Sequence, residues 1–172
     1  IGDTYSMLVF DIKPDEFEYA FSFDGPYEPA KGLLFNEENV LLDPYSRAVT
    51  GQRKWGEKPE GGKDFEYRAR VVKSSFDWGN IKQLEQPFED LVIYETHVRG
   101  YTKDKSSGVS APGTFAGLKD KIPYLKDLGI NAVELMPIFE FDEMESARVV
   151  DGVQLYNYWG YNTVSFLSLI HI

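Results

Sequence analysis

The chain has 172 residues, 28 acids against 18 bases for a formal charge of −10, and no cysteine. So acidic a surface repels a phosphate backbone, which removes nucleic acid as an expected partner, and without thiols there is neither a disulfide framework nor a thiolate metal site. No apolar run approaches bilayer length, so no membrane partner is expected, and the lack of cysteine suits a reducing, cytoplasmic setting.

Residues 1 to about 75 read as β structure. Tyr5–Phe10 and Phe17–Phe23 are short apolar runs. In the second, Phe17, Tyr19, Phe21 and Phe23 recur every two residues and so share one face of a strand. Asp24-Gly25-Pro26 is a turn by composition. Further strands are expected at Asn39–Leu42 and Tyr67–Lys73. Gly56–Lys63 is polar and glycine-bearing and is expected to be a surface loop. Short strands between Gly and Pro turns predict a β-sandwich. Aromatics make up 15% of the chain. Aromatic faces suit sugar rings, but a core role is the favoured reading for most of them.

Residues 76 to 89 read as a connector, and then the pattern changes. Leu91-Val92-Ile93-Tyr94 is a continuous apolar run that suits a strand buried on both faces. A loop is expected at Thr102–Pro112. Phe115, Leu118, Ile122, Leu125 and Leu128 lie on one helical face, with Thr114 as N-cap and Gly129 as C′ residue. Pro123 is expected to kink this helix or to open a second segment. Ile130–Met136 reads as another buried strand, ended by Pro137. The result is one strand–helix–strand unit.

These residues are recognisable. Asp90-Leu91-Val92-Ile93-Tyr94-Glu95-Thr96-His97-Val98-Arg99-Gly100-Tyr101-Thr102 resembles the first barrel strand of the isoamylase and glycogen debranching group of the α-amylase superfamily. Leu128–Glu143, with Phe139-Glu140-Phe141-Asp142-Glu143 at its end, resembles their second strand and following loop. Tyr158-Trp159-Gly160-Tyr161-Asn162 resembles the aromatic loop before their third strand. Asp24-Gly25-Pro26, Leu41-Leu42-Asp43-Pro44-Tyr45 and Ala48-Val49-Thr50-Gly51 resemble the β-sandwich module ahead of the barrel. The resemblance runs from about residue 3 to Phe166.

It implies a β-sandwich carbohydrate-binding-like module over residues 1–75, a connector over 76–89, and the first βαβ unit of an incomplete (β/α)8 barrel over 90–166. Residues 167–172 are then candidates for a non-native tail. A full barrel needs about 250 residues, so the expected whole is a longer enzyme. That enzyme would cleave α-1,6-glucosidic branch points in glycogen or amylopectin by a retaining mechanism with two carboxylates. In the group those carboxylates come from later strands, so this stretch is expected to be inactive alone. The competing readings are a non-catalytic α-glucan-binding module, and a sibling enzyme such as a type I pullulanase or a glycogen branching enzyme.

By the resemblance, Tyr161 matches the tyrosine that stacks on the sugar ring at the cleavage site. Trp159 is a second substrate-binding candidate, or a ring that packs beneath the loop. Asn157 and Asn162 are expected to hold the turn. Glu95, His97 and Arg99 alternate along one strand face and, with Glu134, are expected to form a polar layer within the barrel. They lack a converging further ligand, so a metal there is not favoured. No cofactor is expected. Some relatives hold calcium near the second strand, and Glu140, Asp142 and Glu143 offer suitable oxygens. A solvated acidic loop is the favoured reading of those three. Trp55 and Trp78 are candidate exposed sugar platforms.

Overall fold

The computed structural model describes residues 6–51, 54–58 and 66–169, apart from the side chains of Asp15 and Leu169. Tyr5, residues 59–63 of the expected surface loop, and residues 170–172 of the expected tail lie outside the described residues. The chain divides into two compact units, Ile1–Ser74 and Ser75–Ile172. Small sheets dominate both, and helices are few and short.

The first unit contains β1 (Glu18–Tyr19), β2 (Phe21–Glu28), β3 (Leu33–Leu41), β4 (Val49–Thr50) and β5 (Arg68–Arg70). β1, β5 and β4 form one three-stranded sheet, and β2 pairs with β3, all antiparallel. The predicted Phe17–Phe23 strand is broken at Ala20. Its rings still line up at 6.1, 5.8 and 6.2 Å between successive centroids, as the two-residue period requires.

Two expectations fail here. Asp24-Gly25-Pro26 is not a turn but lies inside β2, where the pairing with β3 shifts register on either side of Phe23. Gly25 serves close approach instead: a β-carbon there would lie 2.8 Å from the Phe35 ring. The chain reverses at a 3-10 turn, Pro29–Lys31, closed by Gly32 at φ +76°. The expected strand over Tyr5–Phe10 is also absent among the described residues, and Met7, Leu8 and Phe10 stand exposed. Strand-like composition makes a strand only where a neighbour takes up the backbone hydrogen bonds. Val49 and Ala69 are buried between the short strands, and Tyr19 Oη donates to Asp43 Oδ2 at 2.6 Å.

The second unit runs β6 (Ile93–Thr96), α1 (Val98–Thr102), α2 (Phe115–Asp120), α3 (Ile122–Asp127), β7 (Ala132–Leu135), β8 (Phe139–Phe141), β9 (Arg148–Val150), β10 (Val153–Leu155) and β11 (Thr163–Leu169). β6 and β7 are parallel and in register from Ile93↔Ala132 to Thr96↔Leu135. The strand–helix–strand unit is therefore formed. Thr114 caps α2 by accepting from Gly117 N at 3.1 Å. Pro123 sits in the first turn of α3 and so opens a second segment rather than kinking one helix. Gly129, at φ +88°, ends α3: its N–H donates to Lys126 O, and that of Ile130 to Leu125 O. This is the paired closure that a left-handed C′ glycine permits.

Asn131 joins the two parallel strands at their start. Its Oδ1 accepts from Val92 N and its Nδ2 donates to Asp90 O, both at 2.7 Å. The reading of these strands as buried on both faces does not hold. Val92, Ile93 and Val133 are about half exposed, because the parallel sheet is two strands wide among the described residues. Helix α1 was not foreseen, since its glycine and short length hide any period. β9 and β10 form a hairpin through Asp151 and Gly152, both at positive φ, as the tight hairpin turn demands. β11 pairs antiparallel with β8 and continues through Leu169, with Ser168 buried.

Candidate functional site

The aromatic loop Tyr156–Asn162 joins β10 to β11 and is fastened at both ends to the segment that follows β8. Asn157 N donates to Glu143 O at 2.9 Å, and Asn162 Nδ2 donates to Glu145 Oε1 at 2.5 Å. Asn157 Oδ1 accepts from Gly160 N at 3.2 Å. Both asparagines thus hold the turn. Gly160 is buried at φ +73°, and a β-carbon on it would lie 2.8 Å from the Phe141 ring. Only glycine satisfies both conditions.

His97 holds the loop from the other side. The strand β6 ends at Thr96, and His97 is the N-cap of α1, its Nδ1 accepting from Gly100 N at 3.0 Å. Its Nε2 lies 3.1 Å from the carbonyl oxygen of Tyr158. A carbonyl only accepts, so Nε2 carries the proton and the imidazole is neutral. The Tyr158 ring stacks on it, with centroids 4.4 Å apart and planes at 22°. Trp159 meets the imidazole and the Tyr158 ring edge-on, at 5.8 and 5.1 Å. Partial burial pushes the His97 pKa below its ordinary value, and the Arg99 charge adds to this against the opposing pull of the Tyr158 carbonyl.

This arrangement corrects the expected polar layer. Arg99 is on α1 rather than on the face of β6, because the strand stops where His97 turns the chain into a helix. Glu95 and Glu134 face each other across the parallel register, and both are exposed rather than buried. Of the four, only His97 reaches the aromatic loop through a hydrogen bond. Trp159 packs by its edge yet stays about half exposed. Tyr161 is 66% exposed, the most open ring of the loop.

The favoured reading of Glu140, Asp142 and Glu143 as a solvated loop also fails. Glu140 is buried, Glu143 is fully so, and Asp142 Oδ1 accepts from Met144 N at 2.8 Å. The segment is the anchor of the aromatic loop, not a free acidic surface. Among the described residues no three His, Cys, Asp or Glu side chains converge as a metal site. Trp55 and Trp78 are exposed, and Trp78 packs edge-on against Phe76 at 4.8 Å. Sequence reasoning placed Tyr158 in the aromatic loop but not its stack on His97, and it gave no role to Gly100 or Asn131. A glycine four residues beyond the strand end, followed by an aromatic, was the only local trace.

No family model matches the chain. It is 42% identical over 170 residues to isoamylase 1, chloroplastic, of Oryza sativa subsp. japonica, covering 97% of this chain and 20% of that protein. It is 33% identical over 180 residues to the glycogen debranching enzyme of Salmonella typhi, covering 98% and 27%. Among solved structures, the pullulanase SAP of Group B Streptococcus superposes with a TM-score of 0.57 at 25% identity over 76% of this chain and 18% of that one. The same pullulanase in complex with maltotetraose superposes at 0.55 with 26% identity, over the same shares of the two chains. The chain therefore spans about a fifth to a quarter of the length of these relatives. Over nearly its whole length the chain resembles enzymes of the α-amylase superfamily. Within it, the chain is a relative of the debranching group, the isoamylases and glycogen debranching enzymes. Among the described residues no helix is long and apolar enough to cross a membrane.

Proposed function

We propose that this chain belongs to a glycoside hydrolase of the debranching type, which cleaves α-1,6-glucosidic branch points in glycogen or amylopectin by a retaining two-carboxylate mechanism. Within that enzyme the first unit is a β-sandwich module, and the second is the opening βαβ part of a (β/α)8 barrel. The role of these residues is to bind α-glucan, not to cut it. By the resemblance, the acid and the nucleophile belong to later barrel strands than the two described here. The setting is cytoplasmic.

The observation that carries this reading is the aromatic loop. It is held at both ends and on one side, and it leaves the Tyr161 ring open. A ring presented on an anchored loop offers a flat face to the axial C–H groups of a glucose unit. A pullulanase that superposes on 76% of this chain is one described in complex with maltotetraose. Isoamylase is favoured over pullulanase because identity to the former is 42% against 25–26% for the latter.

The test is calorimetric titration of the purified chain with maltotetraose, with Tyr161→Ala alongside, and incubation with glycogen. Expected are binding that Tyr161→Ala weakens and no release of linear chains. Release of linear chains by the 172 residues would overturn the division of labour, and binding indifferent to Tyr161→Ala would overturn the platform.

A further inference from the structure

We propose that His97 is the positioning residue of the aromatic loop: its imidazole fixes Tyr158 and Trp159 and thereby sets where Tyr161 presents its ring to an α-glucan. The inference rests on the reading of the loop as a glucan platform and names what holds that platform in place.

One ring makes two bonds in opposite directions. Nδ1 accepts from Gly100 N at 3.0 Å, within α1, and Nε2 donates to the carbonyl of Tyr158, 61 residues further on. The ring face carries the Tyr158 phenol, whose oxygen lies over Gly100 where any β-carbon would overlap it. Trp159 closes the group edge-on. A plain helix cap needs only an oxygen or nitrogen acceptor. The second bond and the stack need an imidazole.

The bond from Gly100 needs the neutral ring, whereas Nε2–H donates to the Tyr158 carbonyl in either form. An imidazolium has two donors and no acceptor, so protonation would set Gly100 N–H against a second N–H. Around the ring, α1 contributes Arg99, whose charge opposes protonation, and the loop contributes the phenol of Tyr158. β6 carries Glu95, two residues before the ring. In acid the Gly100 bond is therefore lost while Nε2 still donates to Tyr158, so protonation unsettles the ring's seat in α1 without breaking its bond to the loop.

The test uses His97→Asn, which keeps a capping acceptor but removes the ring and its reach to Tyr158. Trp55→Phe and Trp78→Phe leave Trp159 as the only tryptophan, since the chain has three. Maltotetraose affinity and Trp159 emission are then followed from neutral pH into acid. H97N is expected to keep its circular dichroism and melting temperature, to bind maltotetraose about three- to tenfold more weakly, the range of one aromatic contact, and to shift Trp159 emission to the red. With His97 present, acidification should change Trp159 emission as the Gly100 bond is lost, and in H97N that titration should vanish.

If H97N binds maltotetraose normally with unchanged Trp159 emission while Tyr161→Ala weakens binding, the positioning role is wrong and the glucan reading stands. If neither variant changes affinity, the glucan reading falls, and the proposal falls with it. Should H97N not fold, Gly100→Ala decides, because it displaces the Tyr158 hydroxyl and spares the imidazole. A red shift with weaker binding supports the proposal, and behaviour identical to the unsubstituted chain overturns it.

Discussion

The hydroxyl of Tyr158 occupies the space a side chain on Gly100 would need, so the two residues fix each other's identity across 58 positions of sequence. Gly100 lies inside α1, where alanine is the better helix former by about 1 kcal/mol. Gly100→Ala should therefore leave the melting temperature unchanged or slightly raised, while the Tyr158 ring is displaced from its place on His97. Thermal melts together with maltotetraose titration check this. A fall in melting temperature with unchanged affinity would mean that the glycine serves the helix alone.

Gly160→Ala should cost stability without compensation. The residue sits at φ +73° with the Phe141 ring against its α-carbon, and Phe141 is buried. A side chain there meets both backbone strain and a ring that cannot retreat, for an expected loss of about 1–3 kcal/mol. Urea unfolding followed by tryptophan emission measures it.

Acid should weaken the fold through His97. The folded-state pKa lies below the ordinary 6.5, mainly because of burial. As pH falls, the unfolded chain takes up the proton first, so the contribution is complete above about 6.5 and is lost as pH drops through the folded value. His97→Asn should flatten that part of the profile. Urea midpoints taken between about pH 7.5 and pH 5 read it directly.

At the other end of the scale, Tyr19 is held protonated. Its hydrogen bond to Asp43 at 2.6 Å, followed by burial and the carboxylate's charge, pushes its pKa up to about 12 from 10.0. The raised value means that its contribution is intact below pH 10 and lost as pH rises through about 12. Tyr19→Phe should remove this alkaline slope and cost about 1 kcal/mol at neutral pH. Ultraviolet difference titration and urea unfolding give the two readouts.

Asn131→Ala should loosen the start of the parallel pair. It removes both 2.7 Å bonds, to Val92 N and Asp90 O, at a cost of about 1–2 kcal/mol for partly solvated groups. Faster hydrogen exchange at Val92, with little change at Gly117 in α2, would locate the effect.

Much of the second unit was legible in the sequence because its signals are local. Thr114, Pro123 and Gly129 each act on the nearest turn of backbone, and each does what its chemistry predicts. The same locality misled at Asp24-Gly25-Pro26. Turn composition there is overridden by pairing with β3, and the glycine answers to Phe35 rather than to a turn. The alternation of Glu95, His97 and Arg99 was extrapolated past the strand's true end, which a side-chain cap decided.

What the sequence by itself determined is the strand–helix–strand unit from β6 to β7, the two-residue period of the Phe17–Phe23 rings, the place of the aromatic loop and the kinship with debranching enzymes. Only the tertiary structure decided that His97 grips that loop, that Glu143 is buried beneath it, and that Glu95 meets Glu134 instead of His97. The physical reason is range. Caps, kinks and periodicity depend on neighbours a few residues away, whereas a stacked ring or a buried carboxylate depends on which distant segment the chain brings against it.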